Sequence, residues 1–196
     1  LPLALQREEG GPTLFTVHNS YENLLLNYME PYDIDTEELT ADYPSASTHL
    51  MDGKIYYMDY GLSTGMYYYN KDLWEEAGLT DDDIPKTWDE FIEVAQKLTK
   101  FDENGNMIQA GYNYNNYFNS TVIGLNYQFG DNLFSADGKT SLVDSDGMKE
   151  AVSFLVDLYE KYQVGDKDFG TNYDQSFYQG QSAIVFAWGF FVGNLA

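Results

Sequence analysis

The sequence predicts an α/β fold, in which strands and helices alternate along the chain. Short apolar runs at Leu14–Val17 and Ile184–Ala187 suit buried strands, and Met66–Tyr69 is also predicted to be a strand. Elsewhere apolar residues recur at helical spacing, and the longest such stripe begins at Met148. Strand and helix patterns that follow one another in this way are typical of α/β proteins.

The first part of the chain predicts a helix end, a strand and a second helix. Leu1–Glu9 has a helical composition, and a Gly-Gly-Pro sequence closes it. Leu14–Val17 predicts a buried parallel strand, and Tyr21–Met29 predicts a helix. Residues 33–50 form a polar, turn-rich connection.

Two strand runs then follow without a helix between them. Asp52-Gly53 predicts a turn that leads into a strand over Lys54–Tyr60, and Met66–Tyr69 resumes as a strand after Gly61–Gly65. This break in the alternation is where we expect the chain to cross between two lobes.

The clearest helix signals lie in the middle of the chain. Gly78 closes a short helix over Lys71–Ala77, because a left-handed residue is needed at that position. Thr87 and Glu90 form a capping box that starts the next helix. One apolar stripe follows, made of Phe91, Val94, Ala95 and Leu98.

The second half of the chain predicts two further helices and a buried strand. Asp102–Asn106 resembles a calcium loop in composition, but the spacing of its glycine favours a tight turn. Ser145 or Asp146 starts a long helix, and Asn172–Gln179 forms another before the strand at Ile184–Ala187. The apolar stripe of the long helix contains Met148, Val152, Leu155, Tyr159 and Tyr162.

Composition excludes several classes of function. The chain has 32 acidic and 10 basic residues, a formal net charge of -22, so nucleic acid is a poor partner. It has no cysteine, which excludes disulfides, thiolate metal sites and cysteine nucleophiles. No apolar run approaches the roughly 20 residues that cross a bilayer.

Four short motifs resemble family 1 extracellular solute-binding proteins, the family of maltose-binding protein. They are Asp52-Gly53-Lys54-Ile55-Tyr56, Tyr69-Asn70-Lys71-Asp72-Leu73, Glu76-Ala77-Gly78-Leu79 and Pro85-Lys86-Thr87-Trp88-Asp89-Glu90-Phe91. Each is weak alone, but their order and spacing together are specific. The resemblance continues through Phe154–Tyr159 and Gly180–Ile184, and it extends back to Pro12.

The resemblance implies a type II periplasmic-binding-protein fold, with two lobes and a hinge crossing, incomplete at both ends. Residues 1–60 would be a partial N-terminal lobe, residues 61–196 a partial C-terminal lobe, and residues 59–66 the first hinge crossing. The implied function is capture of a neutral mono- or oligosaccharide for the permease subunits of an ABC importer. The expected location is extracellular, as a membrane-anchored lipoprotein, or periplasmic.

A sugar-binding site needs flat aromatic rings beside amides, carboxylates and hydroxyls. Open α/β sheets place such sites at the carboxyl ends of their strands. His18, Asn19, Ser20 and Tyr21 follow the first predicted strand and supply suitable groups. The alternative is structural, since Ser20 can cap the following helix while Asn19 satisfies loop backbone.

The second lobe supplies the remaining candidates for ligand binding. The resemblance places a polar ligand contact at the crossing, where small residues equally suit a flexible hinge. It places an aromatic platform in the aromatic, amide-rich loop that contains Tyr114, Asn116 and Tyr117. Trp188 and Phe190 follow the last strand, where relatives carry a stacking tryptophan, whereas Trp74 and Trp88 lie on capped helices as packing residues. The candidates are Ser63, Thr64, Tyr114, Asn116, Tyr117, Trp188 and Phe190.

Two other classes of function remain open from the sequence. An acidic, aromatic cleft can also hydrolyse glycosides with two carboxylates, although no catalytic motif is present. A ligand-sensing domain can share the same fold, because fold alone does not fix function. We expect no enzyme activity, no cofactor and no metal site.

Overall fold

The structure is a computed structural model that describes residues 2–6, 10–18, 21–59, 61, 63–114, 118–170 and 173–194. It divides the chain into two compact units, Leu1–Leu62 (unit 1) and Ser63–Ala196 (unit 2). This boundary falls within the segment expected to cross between lobes. That the units are the two lobes of a longer protein stays a prediction.

Unit 1 consists of short helices and one small hairpin. The α-helices are α1 (Pro2–Leu5), α2 (Glu22–Leu25) and α3 (Thr36–Asp42), the 3₁₀ helices are Leu26–Tyr28 and Pro44–His49, and the strands are β1 (Leu50–Met51) and β2 (Lys54–Ile55). Asp52 and Gly53 both have positive φ, 50° and 74°, which matches a two-residue hairpin turn. The turn predicted at Asp52-Gly53 is therefore confirmed.

Unit 1 departs from the sequence prediction in three places. The strand predicted at Leu14–Val17 is wrong: the segment is not a strand, and Leu14 is 82% exposed. A strand needs a neighbour for its backbone groups, and β1 and β2 pair with each other. The strand predicted to reach Tyr60 ends at Ile55. The polar connection contains α3, because Asp35 caps it by accepting from the N–H groups of Glu37 and Glu38.

Unit 2 is an α/β layer structure around one four-stranded sheet. Its strands are β3 (Gly65–Tyr69), β4 (Lys100–Phe101), β5 (Met107–Asn113) and β6 (Ser182–Trp188). Its α-helices are α4 (Lys71–Glu76), α5 (Trp88–Leu98), α6 (Phe118–Gln128), α7 (Asp146–Glu160) and α8 (Tyr173–Tyr178), and 3₁₀ helices cover Asp81–Asp83 and Gly189–Asn194.

The sheet of unit 2 is mixed, with the strand order β3-β6-β5-β4. β5 and β6 run parallel, with Asn113 beside Val185. β3 runs antiparallel to β6, with Gly65 beside Trp188. β4 and β5 form an antiparallel hairpin through the turn that contains Gly105, whose φ of 81° requires glycine.

The two faces of β6 enter different cores, because successive side chains of a strand point to opposite faces. Ile184 joins the large core between the sheet and helices α5, α6 and α7. Val185 and Ala187 pack with Phe177 and Phe191 in a second cluster. A strand buried on both faces explains why this part of the sequence is continuously apolar.

The predicted helix boundaries of unit 2 are largely confirmed. The Thr87–Glu90 capping box starts α5, Ser145 caps α7, and Gly78 ends the α4 region with a φ of 74°. The four apolar residues predicted to line α5 are all buried. The predicted face of α7 is confirmed at Leu155, which is buried, and wrong at Val152, which is 37% exposed. The helix also buries Gly147, Ala151 and Leu158, which the predicted stripe does not contain.

The segment Asp102–Asn106 forms the predicted turn. Asp102 accepts hydrogen bonds from the backbone N–H groups of Asn104 and Asn106, at 2.9 and 2.8 Å. Hydrogen bonds from Asn106 are the largest cause that lowers the pKa of Asp102. Across the described ranges, no helix combines the length and apolar character needed to span a membrane.

Candidate functional site

One edge of the unit 2 sheet brings together several of the predicted ligand-binding residues. β5 ends at Asn113, and β6, its parallel neighbour, ends at Trp188. The antiparallel β3 begins at Gly65 beside Trp188, so Ser63 and Thr64 reach the same edge. This carboxyl edge is where open α/β sheets bind ligands.

Ser63 and Thr64 hold the turn that follows β6. The backbone N–H of Gly189 donates to the Ser63 Oγ at 3.1 Å and to the Thr64 carbonyl oxygen at 3.0 Å. Both side chains are exposed. A serine hydroxyl that accepts one hydrogen bond keeps its proton for another partner, so Ser63 can support the turn and contact a ligand.

The aromatic residues after β6 differ sharply in exposure. Phe190 is 63% exposed, whereas Phe191 is 1% exposed. The Phe191 ring packs near Tyr68 and Tyr178, with ring centroids 5.2 and 5.4 Å away. Trp188 is partly buried, and its ring centroid is 6.0 Å from that of Phe186. Among the described aromatic residues that end or follow β6, Phe190 therefore has the most exposed ring.

Tyr114 also lies at the carboxyl edge, but much of its ring is already in contact with the protein. The ring stacks on Tyr159, with centroids 4.3 Å apart and planes 16° apart. The Tyr114 hydroxyl donates to the Leu155 carbonyl oxygen at 2.7 Å. Burial raises the pKa of Tyr114 to about 12, so the hydroxyl stays protonated at neutral pH. These contacts leave the Tyr114 ring only partly exposed at the edge.

Two candidate residues of unit 1, His18 and Tyr21, lie just before α2. The N–H of Tyr21 donates to the His18 carbonyl oxygen at 2.9 Å, and the Tyr21 side chain is 54% exposed. Asn19 and Ser20 lie outside the described residues, as do Asn116 and Tyr117 of the other loop. A ligand role for any of these candidates stays a prediction.

The sequence analysis did not predict that the Phe186 ring packs directly against the backbone at Gly65, the first residue of β3. A Cβ on Gly65 would overlap the Phe186 ring, so only glycine fits there without a shift of that ring. Phe186 also packs against Tyr67, with centroids 5.3 Å apart. The alternation of residues 184, 186 and 188 along β6 is the signal that predicts a shared face.

Both tryptophans predicted as packing residues are in contact with the core. Trp74 is 3% exposed, and its Nε1 donates to the Thr80 carbonyl oxygen at 3.0 Å. The Nε1 of Trp88 donates to the Gln128 Oε1 at 3.0 Å, and its ring packs edge-to-face against Phe154. Neither residue belongs to the carboxyl edge.

Many of the lysines of unit 2 are neutralised by carboxylates. The pairs are Lys71–Glu75, Lys100–Glu76, Lys149–Asp146, Lys161–Asp157 and Lys167–Asp168. Within the part of the chain that the structure describes, no group of three or more His, Asp or Glu side chains is arranged to hold a metal ion. The groups available to a ligand at the carboxyl edge of the unit 2 sheet are therefore the aromatic rings and hydroxyls described above.

Comparison with known proteins identifies the family. The sequence profile described as "Bacterial extracellular solute-binding protein" matches residues 20–196 of this chain. The chain belongs to this family. The resemblance inferred from the four motifs of the solute-binding family is confirmed.

Individual relatives of this solute-binding protein cover it to different extents. An arabinooligosaccharide-binding protein of Halalkalibacterium halodurans is 25% identical over 171 residues, which are 85% of this chain and 37% of the relative. An sn-glycerol-3-phosphate-binding periplasmic protein of Rhizobium meliloti is 45% identical over 47 residues, 24% of this chain and 11% of the relative. The chain thus spans well under half the length of these relatives.

Solved structures of similar fold agree with the family assignment. The maltose-bound MalE3 of T. maritima superimposes with a TM-score of 0.65 at 22% identity, over 85% of this chain and 43% of that protein. At this identity the likeness concerns the fold alone. The predicted type II periplasmic-binding-protein fold is therefore confirmed for a partial chain.

Proposed function

We propose that this chain is part of an extracellular solute-binding protein that captures a neutral sugar and delivers it to an ABC importer. The observation that carries the proposal is the carboxyl edge of the unit 2 sheet, where the exposed Phe190 lies near the exposed Ser63 and Thr64. Sugars present C–H faces that stack on aromatic rings and hydroxyls that need hydrogen-bond partners. The edge supplies both kinds of group.

Charge favours a neutral ligand over a phosphate ester. The net charge of -22 repels anions unless a local positive field overrides it. Among the described residues at the edge, Ser63, Thr64, Trp188 and Phe190 carry no charge, and five lysines elsewhere are paired with carboxylates. The arabinooligosaccharide-binding relative supports a sugar, whereas the short match to an sn-glycerol-3-phosphate-binding protein makes that phosphate ester the second candidate.

Capture would use closure of two lobes around the sugar. In this proposal residues 1–60 belong to one lobe and residues 61–196 to the other, and residues 59–66 form the first hinge crossing. His18, Asn19, Ser20 and Tyr21 would contact the ligand from the first lobe. Tyr114, Asn116 and Tyr117 would do so from the second lobe, together with the edge residues Ser63, Thr64, Trp188 and Phe190.

The proposed partners are the permease subunits of the importer, and the proposed location is outside the cytoplasmic membrane. There the protein is a lipid-anchored lipoprotein or a periplasmic protein, as the family assignment supports. Genes for two membrane permeases beside the gene for this chain would support import. A neighbouring histidine kinase gene would support the sensing alternative.

Glycoside hydrolysis is the rival function. A hydrolase needs a general acid whose pKa is raised. Hydrogen bonds in caps, turns and one histidine pair lower the pKa of Asp59, Asp83, Asp102 and Asp137, so these four groups do not have that property. The match to a family of solute-binding proteins supports binding without catalysis.

Thermal-shift screening of the protein at the full length of its relatives tests the proposal. A ligand that binds only the folded state raises the melting temperature. We expect stabilisation by a neutral sugar, with arabinooligosaccharides and maltose as the first probes, and no stabilisation by sn-glycerol 3-phosphate. A response only to the phosphate ester would favour the second candidate, and a response only to peptides or metal ions would exclude the sugar.

A matched pair of variants locates the binding surface. Phe190→Ala removes the open ring of the edge, and we expect its sugar Kd to rise roughly tenfold, equivalent to about 1.4 kcal/mol. Phe101→Ala is the control, because Phe101 is also 46% exposed but lies on β4, at the other side of the sheet. Equal affinities of the two variants would show that the edge does not bind the sugar.

A further inference from the structure

A single hydroxyl group joins three parts of unit 2 at the end of β5. The Tyr159 hydroxyl of α7 donates to the Asn113 Oδ1 at 2.7 Å and accepts from the backbone N–H of Tyr114 at 2.9 Å. Asn113 is the last residue of β5, and Tyr114 is the first residue after it. A helix side chain thus binds the backbone at the point where the chain leaves the sheet.

The same tyrosine also fixes the side chain of Tyr114. The two rings are stacked, and the Tyr114 hydroxyl donates to the Leu155 carbonyl oxygen one turn earlier on α7. Tyr114 is therefore held through its backbone N–H, its ring and its hydroxyl. Such a three-point attachment leaves the residue little freedom to turn about the end of the strand.

Asn113 extends the attachment to the loop before α8. Its side chain is 1% exposed, and its Nδ2 donates to the Phe169 carbonyl oxygen at 3.2 Å. Burial raises the pKa of Tyr159, so the phenol keeps the proton that it donates to Asn113. A buried amide with a donor and an acceptor both engaged has one favoured orientation.

The backbone near Gly165 confines the ring of Tyr159 from another side. A Cβ on Gly165 would overlap both the Tyr112 carbonyl oxygen and the Tyr159 ring. The chain at Gly165 therefore lies directly against the tyrosine. The ring cannot move toward this segment without displacing backbone.

We propose that Tyr159 is a positioning residue of the sugar site, which fixes the chain at Asn113 and Tyr114 where it leaves β5. This inference rests on the proposed sugar-binding function, because Tyr114 is a ligand candidate of unit 2. Tyr159 acts through Tyr114 and Asn113 and does not itself contact the sugar. The sequence places it in the apolar stripe of α7, where its hydroxyl has no predicted task.

The test compares Tyr159→Phe with the wild type at the full length of its relatives. The variant keeps the stacked ring but loses both hydrogen bonds of the hydroxyl. We expect hydrogen exchange of the Tyr114 amide to quicken about tenfold, because its acceptor is gone, and the sugar Kd to rise about tenfold. Exchange is read in the absence of ligand by NMR, and Kd by calorimetry.

Two variants serve as controls. Tyr162→Phe removes a hydroxyl that accepts from the Lys161 Nζ on the exposed side of the same region, and it should change neither quantity. Ser145→Ala removes the hydroxyl that caps the start of α7 by accepting from the N–H of Met148. It should lower the melting temperature while leaving Kd within about twofold, which separates positioning from general stability.

Each outcome decides a different point. Unchanged exchange of the Tyr114 amide in Tyr159→Phe would overturn the positioning role. Faster exchange with an unchanged Kd would overturn the link to the sugar site. If the wild type binds no sugar, the proposed function fails, and the exchange comparison still decides whether Tyr159 fixes Tyr114.

Discussion

His49 and Asp59 form a hydrogen-bonded pair in unit 1, close to the boundary between the two units. The His49 Nε2 lies 3.0 Å from the Asp59 Oδ2, and the two side chains are 12% and 30% exposed. The Tyr57 ring lies against the imidazole, with centroids 4.4 Å apart. The pair joins the 3₁₀ helix Pro44–His49 to the segment that leads into the proposed hinge.

This pair predicts a stability change at acid pH. The hydrogen bond from His49 lowers the pKa of Asp59 below its ordinary value of 3.8. A group whose pKa is lowered in the folded state stabilises the protein above the ordinary pKa and loses this effect as the pH falls through the folded pKa. The difference in unfolding free energy between the wild type and Asp59→Asn should therefore shrink as the pH falls from about 5 to about 2.

Chemical denaturation at several pH values measures this difference. As a check, the Asp59 carboxyl carbon can be titrated by NMR in His49→Ala, where its pKa should move back up toward the ordinary value. A constant difference in unfolding free energy across the acid range would contradict the prediction. So would an unchanged titration in His49→Ala.

At the residue scale, the sequence predicted which kinds of side chain reach the carboxyl edge but not their exposure. Trp188 and Phe190 are both predicted to follow a strand, yet Trp188 is the last residue of β6 and is partly buried. Phe190 and Phe191 are adjacent and chemically identical, but only one faces solvent. Exposure depends on the 3₁₀ turn after β6, and a single sequence contains no periodic signal for so short an element.

Close packing of helix α5 on strand β5 depends on one glycine. A Cβ on Gly111 would overlap the Ala95 carbonyl oxygen and approach the Thr99 Oγ1 to 2.7 Å. The Gly111 N–H also donates to that Thr99 oxygen, at 3.2 Å. Because the overlapping atom is helix backbone, a side chain at this position requires the whole helix to shift.

Gly111→Ala should therefore destabilise unit 2 by about 1–3 kcal/mol or more, as overpacked cores do. Gly124→Ala is the matched control, since Gly124 lies within α6 and an added Cβ there meets nothing within 4 Å. We expect that control to be neutral or to stabilise by up to about 1 kcal/mol, because alanine favours helix. Urea denaturation measures both, and a Gly111→Ala protein as stable as the control would contradict the packing argument.

At the element scale, helices with chemical start and stop signals were predictable. Thr87, Ser145 and Gly78 each supply a local hydrogen bond or backbone conformation that the sequence shows directly. The prediction of a strand at Leu14–Val17 is wrong because strand formation depends on a partner strand elsewhere in the chain, which a local apolar run cannot reveal. Helix α3 was missed although Asp35 is a normal N-cap, because its exposed, polar sequence lacks a clear apolar stripe.

The two units differ greatly in the size of their apolar cores. Among the described residues, four buried apolar side chains lie in unit 1: Leu25, Leu39, Ala46 and Ile55. Twenty-one lie in unit 2. The sequence predicted a division near residue 60 from the missing helix between two strand runs, but it did not predict this inequality. Core size depends on which distant segments meet, and local periodicity does not contain that information.

Unequal cores predict that the 196-residue chain is cut first within unit 1 by thermolysin, which cleaves before exposed apolar residues. Local opening costs least where few apolar groups are buried, so protease reaches unit 1 without global unfolding. Leu14 in unit 1 and Val143 in unit 2 give an internal comparison, since their side chains are 82% and 58% exposed.

Time-resolved mass spectrometry should show cleavage near Leu14 and a lasting fragment that begins near Ser63. Leu14→Asp should delay the first cut without shortening the life of that fragment. First cleavage at Val143, or loss of both units at one rate, would show that the small unit 1 core is not the weaker part of the molecule.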